Sequence, residues 1–229
     1  MAVSARPVMR LYRTSIGKKV VMAVTGVVWI LFLIAHIFGN LHIFEGSARF
    51  NEYAEFLRAV GAPIFGHTQL LWIARIGLIA SLALHVTSAA MLTQQSRASR
   101  PVRYQAHKEP KATWSSLTMR IGGVIILLFI FIHLANLTWG WIHPSFIQGD
   151  AYHNVISLFQ LWPVTLFYII AMLSVGFHLH HGAWSMFQTL GFRNSRNEGL
   201  LRGWALGLSV VFVIASSTVP LAVLFRIVS

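Results

Sequence analysis

The chain contains no cysteine in its 229 residues and only six acidic residues. Without cysteine it forms no disulfide, attaches no haem covalently through C-x-x-C-H and holds no iron–sulfur cluster on thiolates of its own. Only 10 % of the residues are charged and 56 % are hydrophobic, whereas a soluble domain carries about 25 % charged residues. The composition therefore predicts a chain that faces lipid over most of its length.

Five hydrophobic stretches are each about 20 residues long, enough to cross a hydrocarbon core of about 30 Å as an α-helix. We predict an all-α integral membrane protein, with residues 1–229 forming a single transmembrane domain. The first stretch is too long for the apolar region of a signal peptide, so we expect it to be retained. The predicted spans are 20–41, 70–91, 121–142, 161–184 and 206–225.

The net charge of +12 is unevenly distributed. Most of the 18 Lys and Arg precede the first span or lie between the second and third or the fourth and fifth. The loops on the other side hold Glu45, Glu52, Glu55 and Asp150. By the positive-inside rule, we expect a cytoplasmic N-terminus and an outer C-terminus. The basic excess is thus interpreted as a topology signal, with anionic lipid as a secondary partner and no nucleic acid.

Four of the eleven histidines, His36, His85, His133 and His178, lie in four different spans. An imidazole inside a bilayer is costly and normally marks a function. At about 1.5 Å per residue, His36 and His133 lie roughly 24 and 18 Å from the cytoplasmic edge. His85 and His178 lie roughly 23 and 26 Å from the outer edge. Depth therefore pairs His36 with His133 in the outer half and His85 with His178 in the inner half.

Two imidazoles from two helices are what bis-histidine ligation requires, because the ring nitrogens must approach one iron from opposite faces. Such a haem has no open coordination position, so it transfers electrons rather than activating oxygen. We predict a five-helix bundle enclosing two stacked b haems, the outer on His36 and His133 and the inner on His85 and His178. Spacing leaves His181 open as an alternative to His178, since the two share one side of their helix.

Arg75 lies about 7 Å inside the outer edge of the second span. An unpaired guanidinium is costly there, so we predict an ion pair with a propionate of the outer haem; snorkelling to the interface is the alternative. We expect Arg120 and Lys19 to serve the inner haem in the same way.

Smaller features complete the prediction. Residues 51–58 are expected to form a short interfacial helix, and residues 143–160 an aromatic, nearly uncharged outer loop. The fifth span has no histidine, and we expect it to pack through Gly203 and Gly207. Small residues that would leave room for the macrocycles are Gly39, Gly77, Ala83, Gly122, Gly123, Gly176 and Gly182.

Four segments together resemble the single-chain, five-helix, dihaem cytochrome b anchor subunit of succinate:quinone oxidoreductases, the succinate dehydrogenases and fumarate reductases. The family's fourth-helix pattern His-x-x-x-Gly-x-Trp-Ser begins here at His178, and this selects His178 over His181. His180 and His181 depart from the small or amide residues usual at their positions. The segments are Ser15-Ile-Gly-Lys-Lys19, His36-Ile-Phe-Gly-Asn40 with Arg49-Phe-Asn-Glu52, the lone His85, and Phe177-His178-Leu-His-His-Gly182-Ala-Trp184-Ser185.

The resemblance implies a function in the respiratory chain and the tricarboxylic acid cycle. A flavoprotein subunit would oxidise succinate and an iron–sulfur subunit would pass electrons to the inner haem, both docked on the cytoplasmic face of a bacterial inner membrane. The outer haem would exchange electrons with quinone. Two haems suit menaquinone, whose low potential makes succinate oxidation uphill unless it is coupled to the membrane potential, worth about 2.3 kcal/mol per charge per 100 mV. The chain alone would not act on succinate, and a higher oligomer of the complex is compatible with this organisation.

A quinone site near the outer haem needs a carboxylate that handles protons, and Glu52 and Glu55 are the candidates. The alternative for both is a solvated, charged loop. Ser15 and Lys19 are candidates for an inner quinone site beside the iron–sulfur subunit.

Two other functions are open on the sequence. The first is the five-helix cytochrome b of a nitrate reductase or hydrogenase, but those families often place two histidines on one helix, whereas the four predicted ligands here lie one on each of the first four helices. The second is a haem-free transporter whose histidines relay protons. A haem spectrum would separate the transporter from both cytochromes.

Overall fold

The computed structural model describes residues 11–99 and 112–229, and for residues 112–118 it describes the backbone alone. Within these ranges the chain is helical and contains no β-strand. Two short helices and a 3₁₀ turn, His42–Glu45, connect the long helices. In chain order the α-helices are α1 Ser15–Leu41, α2 Ser47–Ala59, α3 Gln69–Ala98, α4 Ala112–Leu137, α5 Ala151–Phe159, α6 Trp162–Thr189 and α7 Glu198–Leu224.

Helices α1, α3, α4, α6 and α7 are long and apolar enough to cross a membrane. The prediction of an all-α protein with five spans is therefore confirmed. We call the end of the bundle that holds the N-terminus of α1 the inner end and the opposite end the outer end. Many leucine, isoleucine, valine and phenylalanine side chains lie exposed on the outside of the bundle, as expected for helices whose solvent is lipid.

Helix α4 ends earlier than predicted, at Leu137 rather than near residue 142. The N–H groups of Thr138 and Trp139 both donate to the carbonyl of Leu134 at 2.9 Å, which closes the last turn. Gly140 then adopts a φ of 69°, a left-handed conformation that favours glycine. The ring of Phe146 fills the space that a Cβ at Gly140 would need, so hydrophobicity alone overestimated the length of this helix.

The start of α1 is fixed by a cap and by a buried lysine. The side chain of Thr14 accepts a hydrogen bond from the N–H of Gly17 at 3.0 Å, as an N-cap residue does. Lys18 is only 5 % exposed, and its Nζ donates to the carbonyl of Arg13 at 2.8 Å. Residues 11–14 are therefore folded back onto the first turn of α1.

Helix α6 is central, because it packs on α7, α4 and α1, while α3 packs mainly on α1. The α6–α7 contact is close at Gly176, where an added Cβ would collide with the side chain of Val213. Contrary to the prediction, α7 does not pack on the described part of the chain through Gly203 and Gly207, because an added Cβ at either glycine would meet none of its atoms within 4 Å. The buried residues at this end of α7 include Ala205, Ser209 and Phe212.

Helices α2 and α5 cover the outer end of the bundle. The predicted helix at 51–58 is confirmed within α2, whereas the stretch expected to be an outer loop contains α5. Asp150 caps α5 by accepting the N–H of His153 at 2.9 Å. Residues of both short helices join a buried cluster with α4, α6 and α7, including Phe50, Ile156 and Val223.

Candidate functional site

Two of the predicted ligands meet in the outer half of the bundle. The ring centroids of His36 on α1 and His133 on α4 are 5.8 Å apart, with an interplanar angle of 85°. Phe32, one turn before His36 on α1, stacks on its ring at 5.3 Å. Phe129 and Tyr168 flank His133, with centroids at 5.6 and 5.9 Å. The outer pair therefore lies in aromatic surroundings.

The other two predicted ligands meet in the inner half. The ring centroids of His85 on α3 and His178 on α6 are 6.3 Å apart, with an interplanar angle of 54°. Each ring faces a glycine of a neighbouring helix. An added Cβ at Gly26 would lie 3.9 Å from Cε1 of His85, and one at Gly123 would lie 3.8 Å from Cε1 of His178. The structure thus joins the same pairs that helix depth joined.

The choice among the three histidines of α6 follows from their surroundings. The ring of His178 is the one near His85. His180 is exposed on the helix surface, and His181 lies beside Trp184, with ring centroids 6.1 Å apart. His178 is therefore the α6 histidine that is placed to bind the same metal ion as His85 of α3.

Both pairs have a separation that suits one metal ion between two imidazoles. A metal–imidazole nitrogen bond of about 2.0–2.1 Å, as in zinc sites, puts the centres of two opposed rings about 6 Å apart. The observed separations of 5.8 and 6.3 Å are close to this value. The Nδ1 atoms of His133 and His178 are buried and have no hydrogen-bond partner within residues 11–99 and 112–229, as far as these are described. The donor set at each depth thus fits a haem with two axial imidazoles.

Comparison with known proteins identifies the family. The family model described as succinate dehydrogenase/fumarate reductase transmembrane subunit matches residues 91–216, more than half of the chain, including His133 and His178. The chain belongs to this family. No curated protein and no solved structure matches it. The protein is therefore a multi-pass membrane anchor subunit of a succinate dehydrogenase or fumarate reductase.

The anchor subunit carries a cationic cluster at its inner end, around Trp184. The guanidinium carbons of Arg193 and Arg202 lie 5.3 and 4.8 Å from the centre of the Trp184 ring. Glu198 accepts hydrogen bonds from both arginines, at 3.1 and 2.7 Å. The Trp184 ring thus contacts two guanidinium groups, and both of these are hydrogen-bonded to the same carboxylate. Sequence reasoning had placed both arginines on the basic face but had not linked them to this tryptophan.

The three residues predicted to pair with haem propionates are dispersed. The guanidinium of Arg75 lies 5.1 Å from the centre of the Trp72 ring on the same helix. Arg120 on α4 and Lys19 on α1 are exposed towards the inner end. Lys18, the neighbour of Lys19, is instead buried, and among the described residues of this region it is the buried cation. Propionate pairing by Arg75, Arg120 and Lys19 stays a prediction.

The two carboxylates predicted for an outer quinone site both lie on α2 but have different partners. Glu52 forms an exposed pair with Arg49 at 3.3 Å. Glu55 binds Arg58 at 2.9 Å and His67 Nε2 at 2.8 Å. The hydrogen bond with His67, and next that with Arg58, lowers the pKa of Glu55, so its carboxylate is ionised at neutral pH. Ser15, the inner candidate, is the exposed first residue of α1.

Sequence reasoning missed the aromatic neighbours of the outer pair and also a polar residue that contacts a predicted ligand of the inner pair. Thr25 of α1 is buried, and its Oγ1 lies 3.0 Å from Nδ1 of His85. Nothing in the sequence marked Thr25, because a contact between two helices depends on their rotation about their axes, which hydrophobic spacing does not determine when most faces are apolar.

Proposed function

We propose that this anchor subunit carries electrons between an iron–sulfur subunit at its inner end and a quinone at its outer end, through two bis-histidine b haems. The observation that supports this proposal is the arrangement of the four intramembrane histidines as two pairs at successive depths, each supplied by two helices. A bound b haem with two axial imidazoles supplies a one-electron iron couple with no open coordination position.

In the proposal, the chain's part is to hold four imidazoles in place and to keep water away from them. Phe32, Phe129 and Tyr168 enclose the outer pair. On the inner pair, Gly26 and Gly123 let the backbones of α1 and α4 approach the rings. Rigid placement of this kind costs little rearrangement when the charge at a site changes.

The proposed orientation places the inner end in the cytoplasm of a bacterial cell and the C-terminus outside. The support is the basic excess at the inner end, where Lys18, Arg193 and Arg202 lie. Other residues that contributed to this prediction, including those at 100–111, lie outside the described residues. The same cationic face is the proposed platform for the iron–sulfur subunit, which would dock together with the flavoprotein subunit.

The proposed quinone site lies at the outer end, with menaquinone as the preferred substrate. Glu55 and His67 form a hydrogen-bonded carboxylate–imidazole pair there, and such a pair can accept and pass on the protons that accompany quinone chemistry. Glu52, exposed and paired with Arg49, is the second candidate. Ser15 and Lys19 stay candidates for an inner quinone site.

The proposal is tested on the complex purified with its partner subunits. We expect two b haems per anchor subunit by chemical haem determination, sharp α and β bands after dithionite, and reduction of these bands by succinate. A colourless complex would contradict the proposal and favour the haem-free alternative. Haems that dithionite reduces, but succinate does not reduce at all, would contradict the proposed electron path.

A further inference from the structure

Thr25 connects α1 to the ligand helix α3 at the level of the inner pair. It is 6 % exposed, and its Oγ1 lies 3.0 Å from Nδ1 of His85. Ser81, one turn before His85, donates from its Oγ to the carbonyl of Thr25 at 3.4 Å. Two contacts therefore hold Thr25 against the same face of α3 that carries His85.

The hydrogen-bond partners of Thr25 determine which nitrogen of His85 carries the hydrogen. A threonine hydroxyl has one hydrogen to donate, and a backbone carbonyl can only accept. Oγ1 of Thr25 lies 2.7 Å from the carbonyl oxygen of Val21 and 3.2 Å from that of Met22. The hydroxyl hydrogen is therefore directed to Val21, the nearer carbonyl, and Oγ1 accepts a hydrogen bond from Nδ1–H of His85. The backbone of Met22 is a second hydrogen-bond partner of His85. In this tautomer Nε2 of His85 carries a free lone pair.

This bond makes the two members of the inner pair unequal. Nδ1 of His178, the partner of His85, is buried and has no hydrogen-bond partner among the described residues, and the same is true of His133 in the outer pair. A metal-binding histidine usually donates its second ring N–H to an acceptor, which fixes the tautomer and raises the donor strength of the ligating nitrogen.

We infer that Thr25 is a positioning residue for the inner haem: its hydroxyl oxygen holds His85 in the tautomer that presents Nε2 to the iron. The inference rests on the proposed function. When Thr25 Oγ1 accepts the hydrogen bond from Nδ1–H, more electron density stays on the His85 ring. A more electron-rich ligand stabilises ferric over ferrous iron. Thr25 therefore lowers the reduction potential of the inner haem relative to a site that lacks this bond.

The test is a redox titration of the haem bands in the purified complex, comparing Thr25→Val with Thr25→Ser. Valine keeps the shape of threonine but cannot accept the hydrogen bond, whereas serine can. The matched control is Thr87→Val on α3, because the Thr87 hydroxyl also donates to its own helix, at Ala83, but faces outwards. The component of the titration that belongs to the inner haem is identified as the one that His85→Ala removes.

We expect Thr25→Val to raise the midpoint of the inner component alone. A tenfold change in the preference for ferric over ferrous iron corresponds to about 59 mV for one electron, and we expect a shift of about this size. Thr25→Ser and Thr87→Val should keep the wild-type midpoint. If Thr25→Val loses the inner haem, its retention in Thr25→Ser would support the inference.

Several results would overturn the inference. They are an unchanged inner midpoint in Thr25→Val, an equal shift of both components, or a shift or loss in Thr25→Ser as large as that in Thr25→Val. The last would show that packing of the methyl group, rather than the hydroxyl, matters. A wild-type complex without haem would instead contradict the proposed function, so the two failures are distinguishable.

Discussion

Asn51 on α2 is hydrogen-bonded to Asp150, the N-cap residue of α5. Its Nδ2 donates to Oδ1 of Asp150 at 2.9 Å, and its Oδ1 accepts the N–H of Tyr152 at 2.9 Å. One side-chain amide thus joins the two short helices that cover the outer end. The buried cluster beneath them includes Phe129 and Tyr168, the neighbours of His133, so this link helps to close the bundle over the outer histidine pair.

We predict that Asn51→Ala loosens α5 without changing the long helices. Losing hydrogen bonds to a carboxylate and to a backbone N–H should cost about 1–2 kcal/mol. The amide hydrogen of Tyr152 should therefore exchange about 5–30 times faster, measured by hydrogen–deuterium exchange in detergent. Gln160→Ala, which removes an exposed amide at the other end of α5, is the control and should leave this rate unchanged. Equal effects of the two variants would contradict the role of Asn51.

Asp150 also gives this link a pH dependence. The hydrogen bond from the backbone N–H of His153, and next that from Asn51, lowers the pKa of Asp150 below its ordinary value of 3.8. Its contribution to stability is therefore complete above that value and is lost as the pH falls through the lowered pKa of the folded state. In Asp150→Asn the outer end should show no such loss below pH 3.8, as measured by thermal unfolding at stepped pH.

For the outer quinone site we predict that Glu55→Gln slows quinone reduction by succinate about tenfold or more, while haem content stays unchanged. Glu52→Gln, on the same helix, tests the second candidate and should have a much smaller effect. Because His67 and Arg58 lower the pKa of Glu55, the carboxylate stays ionised above its ordinary value of 4.5. The rate loss should thus be uniform across neutral pH. A rate in Glu55→Gln equal to that of the wild type would show that Glu55 does not belong to the quinone site.

The contact between α6 and α7 gives a prediction for stability. An alanine at Gly176 would force its Cβ against Val213, and overpacking of this kind costs about 1–3 kcal/mol. We expect Gly176→Ala to lower the unfolding temperature in detergent by about 2–4 °C for each kcal/mol. Gly207→Ala is the control, because an added Cβ there meets no atom of the described residues within 4 Å. A Gly176→Ala protein as stable as the Gly207→Ala protein would show that α7 moves to accommodate the methyl group.

The sequence predicted those features that depend on distance along a helix. The rise of 1.5 Å per residue is fixed, so the depth of each histidine followed from its position in its span. The contacts His36–His133 and His85–His178 agree with that depth. The five helices were predictable for the same reason, since a helix needs about 20 consecutive apolar residues to cross a membrane.

Features that depend on tertiary contacts could not be predicted. Helix α5 needs Asp150 as its cap and Asn51 of α2 as its partner. The space beside Gly39, which the sequence assigned to a haem, is taken by the ring of Tyr53. These outcomes follow from how the loops fold back over the bundle, which hydrophobic patterning does not encode.

The pairing of histidines is tested most directly by the haem spectra of single variants, measured as reduced-minus-oxidised difference spectra of the complex. We predict that His36→Ala and His133→Ala lose the same spectral component, and that His85→Ala and His178→Ala lose the other. His180→Ala and His181→Ala should retain both components. Loss of different components by His36→Ala and His133→Ala, or an intact spectrum in all four ligand variants, would contradict the two-haem account.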